Sequence, residues 1–373
     1  MNTLSMLPSM LPEDGSVSSE PPEPSEPPER TVPDIRDAVL VAVGIEDGGR
    51  PDVSDGLRCR SHVIEALSHL GLPAAPLDIR REDLADGLPE TAFVMRLRDK
   101  SPSCIFNLFE GFSDDSSLEH DFCRFLEASG LPYTGNGPDA LAACHDKARA
   151  RVLLEQAGVP VPDGICVRTP TDLSGIAFSA PFFVKPARED GSVGVDESSL
   201  VRSRDELERV VSRKLADYPD GLVVEEFLEG REFSVAFLEG DSEPMGISVI
   251  EYDRFPGLSP YLNYASKWDP KASDFVISPR SAAHMPHALV RRIGALAARS
   301  GTILGCRGYF RVDLRERRPG GDLRVIDVNP NPDISSDAGL ARQADEAGIS
   351  YADLIARIVA LALERKREKR HVA

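Results

Sequence analysis

Residues 309–333 read YFRVDLRERRPGGDLRVIDVNPNPD, and they constrain this chain more tightly than any other stretch. Two strand-forming runs, RVDL and LRVIDVN, flank a Pro-Gly-Gly turn, which predicts a β-hairpin. Asp313 lies on the first strand; Asp327 and Asn329 lie two residues apart on the second, so the pleat points both side chains to one face. With Asp313 across from them on the paired strand, two carboxylates and an amide oxygen converge. Such a hard oxygen set suits Mg²⁺ (or Mn²⁺), completed by water and phosphate oxygens. Arg311, two residues before Asp313, shares that face and can hold developing negative charge beside the metal. The competing reading is a solvated hairpin with charges on its outer face, and the rest of the chain decides between the two.

A length of 373 residues predicts two or three domains, and 41% apolar residues suffice for ordinary cores. A net charge of −18 argues against a nucleic-acid or anionic-membrane surface while leaving room for a local basic groove. Nowhere do 18 apolar residues run together, and the N-terminal stretch lacks a basic leader. Neither a membrane span nor a signal peptide is expected, and a cytoplasmic location is predicted. Cys59, Cys104, Cys123, Cys144, Cys166 and Cys306 are scattered without a C-x-x-C pair, which fits reduced, mostly buried thiols.

Residues 1–34 hold eight prolines, seven acidic residues and one basic residue, a composition expected to stay disordered. From residue 35 to about 140, the run AVLVAVG, a helix with Val63, Ile64, Leu67 and Leu70 on one face, strands near residues 76–79 and 104–110, and a helix aligning Leu118, Phe122, Phe125 and Leu126 predict a parallel α/β domain. No G-x-G-x-x-G follows the first strand and no Walker loop occurs, so a nucleotide must be held in another way. In residues 141–230 a helix opens at Asp146 with Lys147 in its first turn, a cation at an end that already carries partial positive charge and therefore favours an anion. The strand PFFVKPA presents Lys185 just before the glycine-bearing loop REDGSVGV, whose backbone N–H groups can close on phosphates. LVVEEFL then leads into a segment whose main chain can meet a purine edge, and Glu232 opens the next strand where a carboxylate can take ribose hydroxyls. Residues 231–365 add Lys267 beside Trp268, a helix over 286–300, the hairpin and a last apolar helix; residues 366–373 form a basic tail read as a solvated helix end.

Taken in order, PYTG, DK, VKP, the small-residue loop, VVEEFLEGREF, SKW, RVD and DVNPNP resemble the D-alanine–D-alanine ligase branch of the ATP-grasp enzymes, over roughly residues 37–363. The resemblance implies an ATP-grasp fold of class α/β and α+β, in which an N-terminal parallel α/β domain precedes two α+β subdomains clasping ATP. It implies that Lys147, Lys185 and the loop around Ser192 contact ATP phosphates, that Glu225, Glu226 and Leu228 line the adenine, and that Glu232 binds the ribose. Lys267 would approach the γ-phosphate, Asp313, Asp327 and Asn329 would hold magnesium, and Arg311 would stabilise the transition state. The implied reaction joins a small-molecule carboxylate to an amine: the carboxylate attacks the γ-phosphate, and the amine displaces phosphate from the acyl phosphate to leave an amide. A homodimer is left open.

The chain departs from that pattern at several places. Asp327 stands where the family has glutamate, and Gly191-Ser192 follow Asp190 where paired serines follow glycine. Asn329-Pro330-Asn331-Pro332-Asp333 replaces N-T-x-P-G, Ala338 aligns with a serine that helps hold the acceptor's carboxylate, and GIEDGGRPDVSDG lacks the acidic-histidine pattern for the first substrate's amine. Two alternatives therefore stand beside the parent activity: a ligase for a different amino acid or peptide and amine, and a nucleotide-binding module without turnover.

Overall fold

The computed structural model describes residues 32–33, 35–46, 51–84, 92–241 and 243–372. The expected disordered tail, apart from Val32 and Pro33, lies outside the described residues, as do residues 47–50.

Three sheets organise the chain. The first comprises β1 (Val39–Gly44), β2 (Ala74–Ile79) and β3 (Cys104–Asn107), all parallel in the order β2-β1-β3. Helices α1 (Pro51–His69), α2 (Ala92–Lys100), α3 (Leu118–Ser129) and α4 (Pro138–His145) accompany it. Every residue of β1 and β3 is buried, as expected of parallel strands covered on both faces. The strand expected over residues 104–110 ends at Asn107 because Asn107 turns the chain: its amide oxygen accepts from Phe109 N at 3.2 Å, and its own N–H goes to the Thr134 hydroxyl at 2.9 Å.

The second sheet follows α5 (Lys147–Gln156), whose first turn is capped by Asp146 accepting from Arg149 N at 3.0 Å. Its strands β4 (Gly164–Val167), β5 (Phe182–Pro186), β6 (Leu200–Val201) and β7 (Leu222–Glu226) pair antiparallel in the order β4-β7-β5-β6, backed by α6 (Arg204–Asp217). The third sheet is antiparallel, with β8 (Glu232–Leu238), β9 (Gly246–Ile250), β10 (Arg280–Ser281), β11 (Tyr309–Glu316) and β12 (Leu323–Asn329) in the order β10-β9-β8-β11-β12. The short α7 (Tyr264–Trp268) projects from the β9–β10 connection, and α8 (His287–Ile303) precedes the hairpin. After β12 come α9 (Gly339–Glu346) and α10 (Tyr351–Val372).

Helix α10 returns to the start of the chain. Its Leu354, Ile355, Ile358 and Val359 are buried in one cluster with Val63 and Leu67 of α1 and Val39 and Val41 of β1, the same cluster that takes Tyr309 and Ala236 from the third sheet. Each such side chain contributes about 1.5–3 kcal/mol on burial, so the first unit is anchored to the hairpin strand by its own core. A second cluster joins α8 and β11, with Phe237 and Phe310 stacked 4.9 Å apart at its centre. Among the described residues, no helix is long and apolar enough to cross a membrane.

Candidate active site

The second and third sheets enclose, with helices and loops of the N-terminal unit, a cleft of about 630 Å³, and every site residue proposed from the sequence lines it. Its floor is the hairpin. β11 and β12 pair in the expected register, Asp313 opposite Asp327 and Arg311 opposite Asn329, with a bulge after Asp313. The competing picture of a solvated hairpin with charges on its outer face fails at Asp313. Asp313 is 8% exposed, and the Arg311 guanidinium grips its carboxylate, Nε at 2.9 Å and one terminal nitrogen at 2.8 Å. Burial pushes Asp313 up, but Arg311 outweighs it and holds the carboxyl below its usual range, while the same pair raises Arg311 above the ordinary arginine value against its own burial. The physical reason is the antiparallel pleat: residues 311 and 313 project on one face, so their opposite charges meet there. Asp327 and Asn329 are half-buried beside them. Two carboxylates and an amide oxygen make a donor set suited to a hard divalent cation, so the residues fit Mg²⁺.

Two lysines flank this floor. Lys185, on β5, points its ammonium between the Glu225 carboxylate at 3.0 Å and the Ile326 carbonyl of β12 at 3.1 Å, which ties the second sheet to β12. Lys147, at the start of α5, reaches Asp190 at 2.7 Å and the Glu189 carbonyl at 2.5 Å, and His145 approaches the same Asp190 at 3.4 Å. Enclosure pushes the Asp190 carboxyl up, yet Lys147 and His145 prevail and hold it below its usual range; Lys147 is correspondingly raised despite burial. The glycine-bearing loop therefore meets Lys147 through Asp190, the carboxylate that stands where the family pattern has glycine. The loop turns sharply: Gly191, Ser192 and Gly194 all have positive φ, and a Cβ on Gly194 would sit 2.4 Å from Pro186 and 2.6 Å from Tyr218, so only glycine fits there. Trp268 closes the loop from α7 by donating to the Gly191 carbonyl at 3.1 Å. Lys267, next to it, is still reached by water; the enclosure of the cleft first, and Arg311 second, lower its pKa below the ordinary lysine value.

At the other end, Leu228 is buried in the wall, and Glu226 is held by Arg317 through two bonds at 2.8 Å. Glu225 serves Lys185, as above. Glu232 accepts from the Tyr252 hydroxyl at 2.8 Å, with Arg315 at 3.3 Å. The aromatic rings of Phe183, Phe227 and Tyr261 gather between these residues, with Phe183 and Tyr261 edge to face at 5.1 Å, and give this end an apolar wall.

Sequence reasoning missed Glu119 and Asn331. Glu119 of α3 is 9% exposed on the cleft wall and accepts from the Asn331 amide at 2.8 Å. Burial and then the charge of Asp190 push its carboxyl up to about 8, opposed by the Asn331 bond. The signal was present: Glu119, Phe122, Cys123 and Leu126 fall at i, i+3, i+4 and i+7, so a carboxylate lies on the buried face of its helix.

A parallel α/β unit followed by two antiparallel sheets that close on one cleft is the ATP-grasp fold. The structure superposes on that of D-alanine–D-alanine ligase from Bacillus anthracis complexed with ATP, with a TM-score of 0.68 and 20% identity, covering 90% of this chain and 100% of that one. A family profile described as D-ala D-ala ligase C-terminus matches residues 153–360. D-alanine–D-alanine ligases of Moorella thermoacetica and Desulforudis audaxviator are 30% and 31% identical to it, each alignment covering 83% of this chain and 94% of the relative. The chain belongs to the D-alanine–D-alanine ligase family.

Proposed function

We propose that the chain is an ATP-dependent carboxylate–amine ligase that forms an amide bond through an acyl phosphate, releasing ADP and phosphate. The observation that supports this best is the convergence of Arg311, Asp313, Asp327 and Asn329 on one hairpin face, directly beneath the β5 lysine. Asp313, Asp327 and Asn329 would hold magnesium, which when bound would supply charge neutralisation at the phosphate oxygens. Lys185 and Lys147 draw the phosphates to the loop around Ser192, Lys147 exchanging Asp190 for them. Leu228 and the main chain after Glu225 and Glu226 meet the adenine, and Glu232 takes the ribose hydroxyls. Lys267 and Arg311 both line the cleft, where cations stabilise charge on the transferring group and then on the tetrahedral oxyanion. Trp268, through its bond to the Gly191 carbonyl, fixes the glycine-bearing loop beside the cleft. The substrates are small carboxylates and amines, and the protein works in the cytoplasm.

A second reading of the acceptor has its own support. Ala338 has no hydroxyl for a carboxylate, and Asp333 joins Asp55 and Glu110 in lining the cleft. Arg58, the cation nearest them on α1, is already bound by Asp55 at 2.7 Å and Asp337 at 2.8 Å. An amine-rich or carboxylate-blocked acceptor suits that wall better than D-alanine. The test is ATP-dependent phosphate release with D-alanine alone against amino acids, diamines and amino-acid amides, with the product weighed by mass spectrometry. Efficient D-alanyl-D-alanine formation at millimolar D-alanine, with no gain from other acceptors, returns the protein to the parent activity; no amide with any pair overturns the ligase reading itself.

A further inference from the structure

The metal strand does not hold its last ligand unaided. Asn329 ends β12, and its side-chain oxygen accepts from the Asn331 backbone N–H at 2.9 Å. That bond takes one of the two lone pairs of the amide oxygen and leaves the other for a cation in the cleft, which Asn329 lines. The turn that makes the bond is in turn pinned from the N-terminal unit. The Asn331 amide donates to the Glu119 carboxylate of α3 at 2.8 Å and to the Phe109 carbonyl at 3.4 Å, while its oxygen accepts from the Tyr309 hydroxyl at 3.1 Å. One residue earlier, the Pro330 carbonyl accepts from the Asn136 amide at 2.6 Å. The same Asn136 nitrogen reaches the Tyr309 carbonyl at 2.9 Å, so one side chain joins the start of β11 to the end of β12. Glu119, Asn136 and Tyr309 are 9%, 2% and 0% exposed, so these bonds are shielded from water.

We propose that Glu119, acting through Asn331, is a positioning residue for the metal site: it fixes the turn that aims the Asn329 oxygen, so that a unit holding no metal ligand sets the affinity for the divalent cation. This rests on the assignment of Asp313, Asp327 and Asn329 to the metal. The side chain that orients a ligand typically changes metal affinity by about 10- to 100-fold when removed. Because Glu119 acts only by way of Asn331, its effect and that of Asn331 should not add.

The test is binding of Mn²⁺ to the full chain in the presence of ADP, read from the electron paramagnetic resonance signal of free Mn²⁺, with thermal melts alongside. Glu119→Ala and Asn331→Ala are each expected to raise the Mn²⁺ dissociation constant about 10-fold, and the double variant no further. Glu119→Gln, which keeps the acceptor oxygen, is expected to stay within about 2-fold of the parent protein. If Glu119→Ala does not fold, Asn331→Ser, which keeps the turn but is too short to reach Glu119, must show the same loss. Parent-like affinity in Glu119→Ala or Asn331→Ser, an equal loss in Glu119→Gln, or additive losses in the double variant overturns the proposal. Asp327→Asn separates the two levels: if it weakens Mn²⁺ while Glu119→Ala does not, only the positioning role falls, and if Asp327→Asn is also silent the metal assignment falls with it.

Discussion

Replacing Lys185 with alanine tests the nucleotide site, and the structure shows why the single variant is not enough. The Lys185 ammonium lies 3.0 Å from Glu225 and 3.1 Å from the Ile326 carbonyl, with the two side chains only 12% and 8% exposed. Truncation removes one charge-assisted contact to phosphate, about 1.5–3 kcal/mol, which weakens nucleotide binding by about 10- to 150-fold. It also strands a buried carboxylate, and breaking a buried pair from one side costs about 3–5 kcal/mol of stability. The orphaned Glu225 further repels the phosphates, so Lys185→Ala exaggerates the direct contact. The double variant Lys185→Ala with Glu225→Gln removes the stranded charge. It should recover most of the lost stability in a thermal melt while still binding a non-hydrolysable ATP analogue at least about 10-fold more weakly than the parent protein. Calorimetric titration at fixed magnesium and salt reads the affinities. If the double variant binds the analogue as tightly as the parent, Lys185 is a strut for Glu225 and the phosphate assignment is wrong.

Three further outcomes are expected. Asp327→Asn should raise the magnesium concentration for half-maximal phosphate release by at least about 10-fold with little change in melting, whereas Asp313→Asn should also lower the melting temperature, because it breaks the ion pair that the buried Asp313 makes with the half-buried Arg311; equal melting of the two would contradict the pairing described above. Asp190→Asn should free Lys147 and tighten binding of the ATP analogue, by about 2- to 5-fold given that the Asp190 side chain is 47% exposed, and unchanged or weaker binding would show that Asp190 does not compete with phosphate. Glu119 binds its proton up to about pH 8 in the folded chain but only to about 4.5 when unfolded; the folded state therefore holds the extra proton between those values, and stability contributed by the neutral acid is lost as pH rises through that window. Melts from pH 5 to 8.5 should show Glu119→Gln gaining on the parent as pH rises, and parallel curves would mean the carboxyl is not buried as described.

Much of the site was legible because it is written in local patterns. Strand alternation alone placed Asp327 and Asn329 on one face and Asp313 opposite, and helix capping placed Lys147 at the start of α5. What the sequence hid lies between elements distant in the chain. Nothing local pairs Lys147 with Asp190 across 43 positions or Glu119 with Asn331 across 212. The closeness of Arg311 and Asp313 was visible, but its consequence was not: the floor of the site is an ion pair with a buried carboxylate, so the loss of Asp313 is felt by the fold as well as by the site. Glu119 was readable as an acid on an apolar helix face, but only the packing of α3 against the turn after β12 shows what it holds.

The central claim, that a carboxylate is activated by phosphoryl transfer before an amine attacks it, is tested most directly with an ¹⁸O-labelled carboxylate substrate. The substrate pair that supports phosphate release would be supplied with both donor oxygens labelled, and phosphate and amide product examined by mass spectrometry. An acyl phosphate requires that one ¹⁸O leave with each phosphate and one remain in the amide. Unlabelled phosphate, with ATP consumed and both ¹⁸O atoms still in the carboxylate, would mean that the cleft only hydrolyses ATP and that no amide is made there.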